Sequence, residues 1–257
     1  MNPFIEKKAI RLRNKIHGSN EQICLPDYHS AGNTITVIGE GSDLRINGDG
    51  YMRNCICDVK GNGNHISVGN HSWLSDYCKI RISGNNNILE IGENCSLQNC
   101  SVFIVGDNNI IRIGDEATAV FTSFHIEKEH NIVTIGKHTS LHGRNNGIIE
   151  FVLEESTAIT VKEDCMISND VCFRSSDSHS IINEQGERIN HAKDIVINNH
   201  VWIGMRSLIL KGTLIKNNCV VGAGSICNKD YEKDNCMIAG NPAKIIKENV
   251  NWSRDRL

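Results

Sequence analysis

The sequence predicts an all-β solenoid, a parallel β-helix, and three observations carry that prediction. From Asp194 to Lys229 the residues Ile197, Ile203, Ile209, Ile215, Val221 and Cys227 recur at a spacing of six. A helical face returns at three and four residues and a half-buried strand at two, so a strict six belongs to neither. Two residues before each stand Ile195, Val201, Ser207, Thr213, Cys219 and Ser225, small or β-branched, so both positions face inward. A short flat strand followed by a turn, repeated so that three units close one triangular coil, meets both conditions. Finally, aromatic residues are only 5% of the chain while glycine occurs 22 times, as a narrow interior with tight corners requires.

At 257 residues the chain is long for one compact domain and short for two. A solenoid escapes that constraint because each coil touches only its neighbours, so one continuous β-helix is expected. The formal charge of -3 argues against nucleic acid as a partner. The 11 cysteines show no paired spacing and no CxxC metal motif, and no secretory leader pattern precedes them. Cys165 and Cys219 fall at inward positions and read as small hydrophobes in a reducing, cytoplasmic compartment. No apolar run reaches membrane-spanning length.

Residues 1–32 read as a capping segment. Lys7, Lys8, Arg11, Arg13 and Lys15 stand among Ile5, Ile10, Leu12 and Ile16, which suits a short basic amphipathic helix. Such a helix would close the end of the solenoid; peripheral contact with an anionic membrane is the other reading. Residues 33–157 carry a longer repeat, marked by Val68, Ile91, Ile113 and Ile135 at separations of 23, 22 and 22. Three hexapeptides return after 18, and the excess falls on GNGN, SGNNN, GDNN and EKEH, so each coil has one enlarged, turn-forming corner. A right-handed helix would also explain that period. Asparagines stacked at one corner read as a ladder joining successive coils. Residues 158–247 follow the spacing of six, interrupted at 174–196 by a polar stretch that should project as a functional loop. Residues 248–257 form a tail.

The loop carries His179, free to reach a substrate. Trp202 follows between inward Val201 and Ile203, so alternation turns its ring outside the prism, where a ligand or neighbouring chain would cover it. Units such as IGMRS, IKNNC and VGAGS, with the order DSHSI, HVWIG, VGAGS and NPAKIIK, resemble the left-handed β-helix, hexapeptide acyltransferase superfamily. Over Ala158 to Lys247 the likeness is to the sugar O-acetyltransferases that modify capsule, lipopolysaccharide or small galactosides. That resemblance implies acetyl-CoA as co-substrate without a metal, His179 as general base and Trp202 beside the thioester. It implies CoA contacts at Met205, Ala223, Asn228, Lys229, Lys244 and Lys247, and a homotrimer with sites between chains. Acyl transfer to a sugar hydroxyl suits such a histidine, whose pKa lies near neutrality and whose help is worth about 10²- to 10⁴-fold in rate. The ammonium groups of Lys229, Lys244 and Lys247 suit the CoA phosphates, without the bidentate grip of the arginines that such tails often carry.

Asp177 either orients the ring of His179, as in hydrolytic triads, or shapes a Ser-rich turn. Glu150 falls near the place of a polar helper residue in some members, but the alignment there is loose. Two other classes compete. A carbonic-anhydrase-like metal site would use His125 and His130, but a third ligand on a neighbouring strand is needed, and His65 and His71 lie more than two coils earlier. A non-catalytic binding solenoid leaves the His-bearing loop and Trp202 without a reason.

Overall fold

The computed structural model describes residues 14–18, 22–26 and 30–255. They form 30 strands, with no α-helix among the described residues. The strands stack into three ten-stranded sheets, the faces of a prism. The first face runs from Lys15–His17 to Ile226–Cys227, the second from Ile23–Cys24 to Asp230–Tyr231, and the third from Tyr51–Met52 to Cys236–Gly240 with Ala243–Glu248 outermost.

Every named strand pairs in parallel with its equivalents in the neighbouring coils until the last, where Ala243–Glu248 lies antiparallel on Cys236–Gly240. Thr34 pairs with Ile56, Ile56 with Lys79 and Lys79 with Ser101, so the early coils are 22, 23 and 22 residues long. Leu208 pairs with Ile226, a coil of 18. The sheets run unbroken from the long coils into the short ones, so one hand, the left hand of the hexapeptide region, holds throughout.

The inward positions behave as the spacing of six demands: Ile197, Ile203, Ile209, Ile215, Val221 and Cys227 are all 0% exposed. Ser207, Thr213 and Ser225 are buried with them, their hydroxyls donating to corner or strand carbonyls such as Gly204 O, Cys227 O and Gly222 O. Phe124, Phe151 and Phe173 share one position on successive coils and stack at centroid separations of 5.0 and 4.6 Å. The cysteines are unbridged, and among them Cys165 and Cys219 are fully buried. Burial pushes the Cys165 thiol up to about 12, so it stays an inert, protonated hydrophobe.

The enlarged corner joins the first face to the second. Gly61 and Gly84 occupy it at φ of 119° and 145°, and a Cβ on Gly61 would sit on the carbonyl oxygen of Gly84 in the next coil. Only glycine permits that approach. Beside them the asparagine ladder is complete. The Asn87 amide donates to Asn64 Oδ1 at 3.0 Å, Asn109 to Asn87 at 3.1 Å and Asn131 to Asn109 at 3.0 Å.

One expectation needs correction. The N-terminal helix was placed across residues of which 1–13 lie outside the described ones, and the described part is not helical. Lys15–His17 is a strand, paired with Thr34–Thr36. An open sheet edge offers a row of unpaired N–H and C=O groups, and Lys15 N takes Asn33 O at 2.8 Å.

Candidate active site

The enlarged corner also explains where the functional loop emerges. The loop comprises residues 175–194, between Cys172–Arg174 on the first face and Ile195–Ile197 on the second, slightly tighter than the expected 174–196. Its backbone is braced from within: Asn190, nearly buried, donates to the carbonyl of His179 at 2.8 Å and accepts from Ile181 N at 2.7 Å. Two carboxylates at the end of the preceding first-face strand pull the loop back over that face. Glu155 takes a bidentate pair from Arg188, both contacts at 2.8 Å, and Glu154 accepts from the Ser178 hydroxyl at 2.6 Å. The Arg188 guanidinium, helped by Ser176, holds the Glu155 carboxyl down to about 2.

His179 is exposed at the edge of the cleft so formed, which has a volume of about 620 Å³. The cleft floor is the outward column of the first face, where His125, Val152 and Arg174 stand in register on successive coils, with Glu150 beside them. Glu150, left open by the sequence, therefore shares the cleft with His179. Arg174 donates to Ser178 Oγ at 2.8 Å, one residue from His179. His125 turns Nε2 to Glu127 at 2.9 Å and stacks on Phe103, and His130 lies at the enlarged corner. The two histidines thus do not converge, and no metal-holding cluster occurs among the described residues.

Asp177 is tied into the loop. Its carboxylate is engaged by Lys211 Nζ and by Asn190 Nδ2 at 2.8 Å, and the Lys211 ammonium holds its pKa below the usual carboxylate range. Asp177 shapes the loop rather than bonding to the imidazole.

Trp202 does point outward. It is 37% exposed on the third face, with Nε1 3.3 Å from Ser168 Oγ of the preceding coil. Met205 and Ala223 meet at the corner from the third face to the first. There Gly224 N donates to Met205 O at 2.8 Å, and both residues are exposed. Asn228 and Lys229 lie at the first-to-second corner, where Lys229 Nζ sits 5.6 Å above the Tyr231 ring. Lys244 and Lys247 are exposed on the final antiparallel strand. Within one chain, then, Met205 joins Ala223, whereas His179 and Trp202 stand at different sides of the prism.

The tail was foreseen as a segment, but its docking on the prism was not. Residues 249–255 double back along the second-to-third corner. The Trp252 ring stacks on His200 at 4.2 Å, and its Nε1 donates to His200 O at 2.9 Å. Arg254 donates to Asp164 Oδ1, Ser140 Oγ, His138 O and Cys165 O. Burial alone would raise the Asp164 pKa, but the hydrogen bonds from His200 and Arg254 outweigh it and leave it lowered. A tryptophan and two arginines in the last six residues were the available signal.

A hexapeptide β-helix with a histidine-bearing loop at one corner defines a hexapeptide-repeat acyltransferase. The chain matches no protein-family model. It is 36% identical over 196 residues to the polysialic acid O-acetyltransferase of Neisseria meningitidis, covering 76% of this chain and 88% of that one. With the enzyme of the same name from Escherichia coli O1:K1 it shares 41% identity over 104 residues, 40% of this chain but only 34% of that relative's length. Among solved structures, the polySia-specific acetyltransferase NeuO superposes with a TM-score of 0.64 at 31% identity, covering 92% of this chain and 84% of that one. The polysialic acid O-acetyltransferase OatWY gives 0.52 at 27%, covering 95% and 92%. The chain belongs to the family of the polysialic acid O-acetyltransferases, and it is an O-acetyltransferase of sugars.

Proposed function

We propose that the protein acetylates a hydroxyl of an acidic, sialic-acid-type capsular polysaccharide or its precursor, with His179 as general base. The observation that carries this reading is His179, exposed above a 620 Å³ cleft on a loop whose backbone is held by Asn190 and whose stem is held by Glu154 and Glu155. Acetyl-CoA supplies an activated acyl thioester. His179 takes the proton of the acceptor hydroxyl as its oxygen attacks, and returns it to the departing sulfur. Arg174 and Glu150 in the cleft supply charge and hydrogen-bonding capacity toward the acceptor.

The donor set fits CoA. Met205 and the small Gly222, Ala223 and Gly224 form a corner where an extended pantetheine arm can lie against backbone, and Lys244 and Lys247 present exposed ammonium groups toward phosphates. Because Trp202 and His179 occupy different sides of one prism, a second copy completes the site, and the assembly we infer is a homotrimer with three sites between chains. Ile181, Ile182 and Ile189 on the loop, at 55, 64 and 60% exposure, are the apolar surface that such packing would cover. No described helix is long and apolar enough to cross a membrane, and the basic N-terminal segment proposed for peripheral membrane contact lies largely outside the described residues.

The test is His179→Ala. Turnover should fall by about 10²-fold or more, with the melting temperature and acetyl-CoA affinity unchanged. Retention of most of the rate removes His179 as base. Light scattering should report about three times the 28.6 kDa chain mass; a fully active monomer overturns the shared site.

A further inference from the structure

The C-terminal segment does something that closing a solenoid does not require. Cys236–Gly240 and Ala243–Glu248 already cover the last edge of the third face, yet the chain continues. Val250 N bonds to Asn235 O at the final coil, Trp252 docks on His200 and Arg254 reaches Asp164 and His138. These contacts climb one column of corners, in which Asn235, Asn218, His200, Asp164 and His138 belong to successive coils. The backbone of those coils is already paired by the sheets, so the strap adds side-chain contacts to the outside of finished coils.

Those contacts converge beside Trp202. The Trp252 ring lies 6.2 Å from that of Trp202 at an interplanar angle of 51°, while its other contacts fix it in place. His200 stacks on it at 10°, His200 Nε2 bonds its carbonyl at 3.1 Å, and the Arg254 guanidinium lies 5.7 Å over the ring. Arg254 is in turn locked by four acceptors. Trp202 itself has one weak polar tether, to Ser168. An exposed indole with a single 3.3 Å bond is free to change rotamer unless something flanks it, and the strap flanks it on the side of the His200 corner, opposite Met205.

We infer that Trp252 is a positioning residue: the C-terminal strap fixes the orientation of the Trp202 indole and so sets the donor side of the transfer site. The inference rests on the reading that Trp202 lies beside the thioester. Loss of such positioning costs rate through geometry, and about ten- to a hundredfold is the range expected for a displacement on the ångström scale.

The experiment compares Trp252→Ala, Trp252→Phe, Trp202→Ala and the Trp202→Ala/Trp252→Ala pair in the full-length protein. Trp252→Ala should lower kcat/KM for acetyl-CoA by about tenfold or more, leave KM for the acceptor unchanged, and abolish the near-ultraviolet circular dichroism of the coupled indoles. Trp252→Phe, which keeps a ring stacked on His200, should recover most of the rate. The double variant should be no slower than Trp202→Ala alone, because Trp252 acts only through Trp202. Independent, multiplicative losses overturn the inference, as does a Trp252→Ala loss matched by a lowered melting temperature and equal changes in both KM values. Full activity of Trp252→Ala beside an impaired Trp202→Ala overturns this inference alone. Full activity of Trp202→Ala removes the donor role of Trp202, and the inference with it, while leaving His179 as base.

Discussion

Replacing Asp177 by Asn separates two roles that sequence alone cannot distinguish. In a hydrolytic triad the aspartate holds the histidine tautomer, and its conversion to Asn costs about 10⁴-fold in kcat. Here the carboxylate faces Lys211 and Asn190. The side-chain oxygen left by Asp177→Asn would still accept from the Asn190 amide, so the change removes mainly the ion pair with Lys211. That pair is partly solvated, with side-chain exposures of 21% for Lys211 and 41% for Asp177, and after screening it contributes about 1 kcal/mol. One kcal/mol shifts the balance between braced and released loop about fivefold, so kcat should fall only a few-fold. Lys211→Met, which also loses the 2.9 Å bond from Nζ to Asn190 O, should lose at least as much, and the double variant should be no worse than Lys211→Met alone, since the ion pair is already gone. Steady-state rates with saturating acetyl-CoA and acceptor measure all three. A loss of about 10³-fold or more in Asp177→Asn, beside an unimpaired Lys211→Met, refutes the brace and restores the triad.

Two further outcomes follow from the same geometry. Asn109→Asp keeps the shape but turns an oxygen toward Asn87 Oδ1 and Lys128 O, the acceptors of the lost amide; the variant should lose about 3 kcal/mol or more in urea unfolding, and parental stability would show that the ladder is not a buried, directional network. Glu155 has a folded pKa of about 2 against an ordinary 4.5, so its contribution is complete above about 4.5 and is lost as pH falls from there through about 2. Protease nicking of the loop should rise over that window in the parent, whereas Glu155→Gln should be nicked readily even above it and show a smaller rise, the part left to the Asp177–Lys211 pair; identical profiles would show that the Arg188 pair does not hold the loop.

What could be read from the chain divides along a physical line. Ile197 to Cys227 could be placed inside because a spacing of six is imposed by the coil itself. The GNGN and SGNNN corners were legible for the same reason, as surplus over 18 residues. The loop bearing His179 was legible as an interruption. Its resting place was not, because Arg188 meets Glu155 and Lys211 meets Asp177 across 33 and 34 residues, and such pairings leave no period. The strap escaped for that reason too, with Arg254 reaching Ser140 across 114 residues. At Lys15–His17 the helix reading failed because basic residues set among apolar ones suit a helix and an edge strand alike, and the sheet beside this stretch decided for the strand.

The antiparallel turn at Cys236–Gly240 and Ala243–Glu248 has a consequence for how such a molecule stays a discrete particle. A stack of identical parallel coils has no intrinsic end, and each exposed terminal coil is a template on which another chain's coil can grow. Fibre growth of that kind needs all three faces to accept a parallel strand in register. Reversing the last strand of the third face removes one of the three, and Lys244, Lys247 and Glu248 place charge along the new border. On the other two faces the terminal strands, Ile226–Cys227 and Asp230–Tyr231, are two residues long, too short to seed a neighbour by themselves. The change of strand polarity therefore blocks polymerisation at this end of the prism.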